Sequence, residues 1–151
     1  MNSVSRRAFT LVEVLIVVVI LAIIAAIVVP QFSSAATEAD HVAASQLVGI
    51  VQRKIGEYHA LKGKWPTAID DAWFSPPGLP TNPYSDGAAS LTVQNIAGKT
   101  ELDIKHSKGG PIIYWYNQAN GCFHTRVPWQ GTNQETLDLY NRVNHSAAKN
   151  F

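Results

Sequence analysis

Cysteine is almost missing from this chain. Cys122 is the single thiol among 151 residues, so no intrachain disulfide can brace the fold. In an exported chain a lone cysteine is usually a small buried apolar residue, and its neighbours Gly121 and Phe123 favour that reading. Neither a cysteine–histidine metal set nor a thiol-based catalytic set can be assembled from it. Charge is sparse as well. Twelve Lys/Arg against eleven Asp/Glu give a formal net charge of +1, with no basic block in the body of the chain. Sequence-independent affinity for nucleic acid needs many clustered cations, so a nucleic-acid partner has no support.

Signatures of catalysis are missing too. The five histidines, His41, His59, His106, His124 and His145, lie far apart, and no HExxH, GxSxG, P-loop or dinucleotide glycine pattern occurs. Isolated histidines are more often surface or satisfied core residues than ligands. The chain therefore reads as a protein without enzymatic activity. Calcium would need a cluster of oxygen ligands in one loop. Asp70-Asp71, Asp86 and the Glu101/Asp103 pair are poor substitutes for one, so no cofactor is assigned.

What the chain has in excess is one apolar run. Val14 to Val29 is sixteen apolar residues without a break, preceded by a polar stretch, Met1 to Arg7, that lacks acids and carries Arg6 and Arg7. From Phe9 to Val29, at about 1.5 Å per residue, a helix would extend about 31 Å, enough to cross a hydrocarbon core. Positive charge before this helix, and none directly after it, keeps the N-terminus cytoplasmic and sends the C-terminus across. Four segments follow: residues 1–8 as a leader, 9–29 as a transmembrane helix, 30–62 as its amphipathic continuation and 63–151 as a globular region.

Glu13 is the informative residue. A carboxylate inside an otherwise apolar membrane helix is costly unless neutralised or paired. Cutting the chain after Ala8 would create an α-amino group at Phe9, one helical turn before Glu13. That ammonium on a neighbouring copy could pair with Glu13, making the helix sticky toward copies of itself and fixing their stagger. An ordinary secretory signal, cleaved after Ser33-Ser34-Ala35, is the first alternative. The apolar run is long for a signal, an acid sits near its start, and Pro30 interrupts a segment that continues as helix. A plain single-pass anchor accounts for the length but leaves Glu13 without a role.

The stretch Ala8-Phe9-Thr10-Leu11-Val12-Glu13 resembles the processing site of type IV pilins and type II secretion pseudopilins. Pro30, 22 residues into the mature chain, is similar to the proline that bends or loosens their helix. The resemblance implies cleavage between Ala8 and Phe9, N-methylation of Phe9 by a prepilin peptidase, and Glu13 as the acid needed for assembly. Ala8 stands where the family nearly always has glycine. The resemblance also implies a homo-oligomer in a helical filament, joined by other pseudopilins and drawn from an inner-membrane assembly platform. The chain would sit in the bacterial inner membrane with its C-terminal domain periplasmic, then enter a periplasmic or surface filament. Major pseudopilins carry calcium in a C-terminal loop, which here lacks the acids. The cysteine pair of many type IV pilins is missing, which favours the secretion branch over a pilin for adhesion, motility or DNA uptake. A membrane-tethered binding domain that does not polymerise is the alternative of another class.

Beyond Pro30, Leu47, Val48, Val51, Ile55 and Tyr58 recur at helical spacing, with Gln46, Gln52, Arg53, Lys54 and Glu57 largely opposite. This predicts an amphipathic helix packed on a sheet and ended by Gly63 and Pro66. Residues 67–90 are loop-rich, with Pro76, Pro77, Pro80 and Pro83 interleaved with Trp73, Phe74 and Tyr84 that pin the loop to the core. Asn82-Pro83-Tyr84 resembles the connecting loop of major pseudopilins. Residues 91–96 and 101–106 around Gly98-Lys99 predict a first hairpin. Residues 112–117 and 122–127 around Asn120-Gly121 predict a second, similar to the final hairpin of pseudopilin domains. Thr132-Asn133-Gln134-Glu135 matches a capping box, opening a short helix with Leu137, Tyr140 and Val143 on one edge. The expected fold class is α+β: a long N-terminal helix, half transmembrane and half amphipathic, on a small antiparallel sheet in a pilin-like layout.

Overall fold

The computed structural model describes residues 9–75, 78–84, 93–96, 106–107 and 114–149. It forms two compact units, one ending at Glu38 and one running from Ala39. Helix α1 (Leu11–Lys62) contributes to both. In the first unit its apolar side chains are uncovered: Leu15, Ile20, Ile24 and Ile27 are each at least half exposed. α1 runs through Pro30 as helix. Proline brings no N–H to the helical ladder. Just beyond it, Ser34 Oγ donates to the Pro30 carbonyl at 3.2 Å and Thr37 Oγ1 to the Ser33 carbonyl at 3.1 Å.

From Ala39 onward one stripe of α1 turns inward. Ala44, Leu47, Val48, Val51 and Ile55 are buried, with Val51 and Ile55 fully enclosed. Their three- and four-residue spacing is what one face of a helix needs to cover a sheet. The helix stops where expected. Gly63 takes a left-handed conformation (φ 69°), and its N–H bonds the His59 carbonyl at 2.8 Å. Glycine reaches this region without steric cost, which is why it closes helices.

The sheet that receives the stripe consists of β1 (Val93–Ile96), β3 (Tyr114–Asn117) and β4 (Phe123–Thr125), in the order β1-β3-β4. β3 and β4 are antiparallel, with Tyr114 opposite Thr125, Trp115 opposite His124 and Tyr116 opposite Phe123. That is the second expected hairpin. Gly121 (φ 73°) closes its turn, where a Cβ would stand 2.3 Å from the Trp65 ring. Only glycine fits there.

The first expected hairpin turns on residues 97–105, which lie outside the described residues. β1 runs parallel to β3, Val93 beside Tyr114 and Ile96 beside Asn117, where the sequence reading expected antiparallel neighbours. β2 (His106–Ser107) pairs, also in parallel, with β5 (Val127–Pro128). Parallel neighbours need a long crossover, and residues 97–113 supply the length for one. Alternation along a strand reports which face is apolar, not the direction of the neighbour. The Gly98-Lys99 turn and residues 101–105 lie outside the described residues, as do Pro76, Pro77 and Asp86-Gly87.

The α1 stripe meets Tyr114, Tyr116, Phe123 and Leu79 in one core, flanked by Trp65, Ile69, Trp73, Phe74 and Val93. Loop residues lock onto the strands as expected. Tyr116 Oη donates to the Pro66 carbonyl at 2.9 Å, and Asn82 Nδ2 to Thr125 Oγ1 at 3.1 Å. Burial, with a smaller push from nearby Tyr58, raises the Tyr116 hydroxyl to about 12, and burial also raises that of Tyr114. Gln52, assigned from sequence to the polar side of α1, instead grips the hairpin. Its Nε2 donates to the Gly121 carbonyl and its Oε1 accepts from the Phe123 N–H, both at 2.9 Å.

A second cluster gathers Ala44 and Val127 with α2 (Asn133–Asn144), through Leu137, Leu139, Tyr140 and Val143. The expected Thr132 cap forms, though Glu135 reaches back to the Thr132 hydroxyl rather than to its backbone N–H. Thr132 Oγ1 accepts from the Glu135 N–H at 3.2 Å and donates to Glu135 Oε2 at 2.7 Å. Together these elements give the expected α+β, pilin-like layout.

Candidate functional site: the start of the apolar helix

Of the four residues singled out for processing, assembly and helix bending, Ala8 lies outside the described residues. Phe9 is 84 % exposed at the edge of them. Thr10 and Glu13 meet at the helix start. The Glu13 N–H bonds Thr10 Oγ1 at 3.2 Å, and Glu13 Oε2 accepts from the Thr10 N–H at 2.8 Å and from its hydroxyl at 2.9 Å. This is a reciprocal cap: each side chain satisfies an amide that the first turn leaves open. The sequence reading did not use Thr10, although Thr-x-x-Glu before an apolar run is the signal for this geometry.

The cap engages one carboxylate oxygen of Glu13. Oε1 has no hydrogen bond among the described residues, so the group can still receive a cation. Around it Phe9, Leu11, Val12 and Val14 are all more than half exposed. An acid held rigidly at the head of an uncovered apolar helix can recognise an ammonium in a setting that excludes water, where such a pair is strongest. Pro30 is placed well along the same helix.

The second unit has hollows, and several of the polar groups lining them already have partners within the fold. One of about 400 Å³ beside α2 is lined by His41, Gln130, Glu135, Asp138, Leu139 and Arg142. There Glu135 serves the α2 cap and Asp138 accepts from Gln134 Nε2 at 2.8 Å. Another, about 480 Å³, lies against Tyr58, Asp70, Asp71 and Trp73. Asp70 caps the 3₁₀ turn Asp71–Trp73 by accepting from the Ala72 N–H.

The histidines are spread through the unit. His41 Nδ1 is 2.9 Å from Tyr84 Oη and His124 Nδ1 is 2.8 Å from Tyr140 Oη. His59 stacks on Trp65 at 3.7 Å, and His145 Nε2 is 3.1 Å from Ser45 Oγ. No group of three or more His, Cys, Asp or Glu side chains converges to hold a metal among the described residues. Cys122 is half-buried, more open than its neighbours suggest.

Residues 4–29 match the family described as the prokaryotic N-terminal methylation motif. The match takes in Arg6 and Arg7, the Ala8–Phe9 junction, Glu13 and the apolar run, and it marks the chain as type IV pilin-like. It points to a structural protein processed by a prepilin peptidase. The chain matches no curated protein. It also matches no solved structure.

Proposed function

We propose that this protein is a structural subunit of a type II secretion pseudopilus or a closely similar type IV filament, assembled from the inner membrane through its N-terminal helix. Cleavage between Ala8 and Phe9 releases the leader, and Phe9 becomes the N-methylated terminus. Glu13 pairs with the terminal ammonium of a neighbouring copy. The helix from Phe9 to Val29 first holds the chain in the bilayer and then becomes the packing surface of the polymer, with Pro30 as its point of bending. A platform in the inner membrane and other pseudopilins are the partners in assembly.

The observation that carries this reading is Glu13: an acid fixed at the head of an uncovered apolar helix, with Oε1 open to a cation. Length alone would fit any anchor. The lone Cys122 favours the secretion branch over a surface pilin, and loss of exoprotein secretion on deletion is the outcome expected for it. A sheared surface fibre containing this chain would instead mark an adhesion or motility pilin. Glu13→Ala tests the filament reading itself. The variant should reach the membrane and keep its folded second unit, yet form no filaments. Normal filaments and function from Glu13→Ala would overturn the proposal in favour of a tethered, non-polymerising domain.

A further inference from the structure

Arg126 sits between β4 and β5 with its side chain half-buried. Its Nε–H is enclosed and has no acceptor, and no hydrogen bond or ion pair reaches the guanidinium among the described residues. A cation that has shed part of its water without gaining a counter-charge is destabilising as it stands. Retaining one makes physical sense where the counter-charge arrives from outside.

The backbone carrying this cation is fixed. Asn144 Oδ1 accepts from the Thr125 N–H at 2.7 Å and Asn144 Nδ2 donates to the Thr125 carbonyl at 3.0 Å. Thr125 Oγ1 then donates to the Arg126 carbonyl at 3.1 Å. α2 thus holds the base of the side chain before any partner comes, which lowers the ordering cost of binding. A guanidinium matches a carboxylate through two parallel N–H donors, a geometry that an ammonium cannot offer.

The same chain presents suitable acids. Asp40 on α1 and Asp71 on the 3₁₀ turn are exposed, and neither carboxylate has a hydrogen bond or ion pair among the described residues. We propose that Arg126 is the receptor for a carboxylate, Asp40 or Asp71, on a second copy of this chain. This inference rests on the filament reading. Copies tied together through their N-terminal helices repeat their second units at a fixed stagger. A cation and an acid of one sequence then meet at high effective concentration.

The test uses the full-length chain expressed in membranes, with filament yield read by sedimentation and electron microscopy and thermal unfolding of the second unit as the fold control. Arg126→Glu should cut filament yield roughly tenfold or more, the scale of losing one charge-assisted contact and adding repulsion. Arg126→Gln should cut it less and weaken its dependence on salt. Combining Arg126→Glu with Asp40→Arg or with Asp71→Arg should restore yield in one of the two pairs. Wild-type yield and salt response from both single variants would overturn the proposal while leaving the filament reading intact. Rescue by neither pair would overturn it too. Absence of filaments from the wild-type chain would remove the filament reading and this inference together.

Discussion

The two halves of α1 belong to one continuous helix and solve opposite problems. From Val14 to Val29 the helix is apolar on every side and almost nothing covers it: Ile16, Ile20, Ile24 and Ile27 are each half exposed or more. After Ala39 the apolar residues narrow to a stripe, and Val51 and Ile55 disappear completely beneath Tyr114, Tyr116 and Phe123. A helix with one apolar stripe is finished by its own sheet, whereas a helix apolar all round needs a lipid or protein environment. The difference teaches where self-sufficiency ends in this chain. Stability of the fold resides in the second half, and the first half is committed to surroundings that the single chain does not supply.

Paired truncations test this contrast most strongly. Ile55→Ala should cost the second unit about 2–5 kcal/mol, because a fully enclosed side chain leaves a cavity. Ile24→Ala deletes the same atoms from the uncovered half and should leave that unit's thermal midpoint unchanged, while weakening membrane retention or assembly. Equal losses of midpoint would break the comparison. Gln52→Ala should follow at about 1–3 kcal/mol, since it removes the partners of the Phe123 N–H and the Gly121 carbonyl together. Denaturant midpoints would reveal it, and a change within error would show that water replaces both bonds.

The smallest effect is a dependence on alkaline pH. Tyr116 is raised in the fold to about 12 from an ordinary 10.0, so the fold prefers the neutral phenol. Its contribution is fully present below pH 10, where the unfolded chain is also neutral. It is lost as pH rises through 10 toward 12, because only the unfolded state ionises there. Tyr114 works in the same direction. Unfolding followed by phenolate absorbance should show stability falling across that window, less steeply in Tyr116→Phe. Glu13→Ala should leave this curve untouched, since Glu13 lies in the other half.

Much of this was legible because it is written in local patterns. The α1 stripe, the Gly63 stop, the Asn120-Gly121 hairpin and the Thr132 cap all depend on residues within a few positions of one another. Strand direction does not. β1 lies beside β3 in parallel, a pairing between residues far apart in the chain that apolar alternation cannot encode. Gln52 was misplaced for a related reason. Helical periodicity assigns a glutamine to the wet face, and only the approach of the Gly121–Phe123 backbone reveals its two bonds. At the candidate site Glu13 stood out through its cost in an apolar run. Thr10 was legible too, as Thr-x-x-Glu before an apolar run, but Glu13 was weighed only for its cost in the membrane and not for its bonds to Thr10. Arg126 belongs with Gln52. A single arginine in a strand-rich stretch looks ordinary until its buried Nε–H is found without an acceptor.

The central claim is that the uncovered half of α1 is a processed, polymer-forming helix rather than a discarded signal or a permanent plain anchor. The intact mass of the mature protein, purified from membranes, tests it most directly. The account predicts a chain beginning at Phe9 with one methyl group on its α-amine. A chain beginning at Ala36 would contradict it outright, and so would one that keeps Met1 to Ala8.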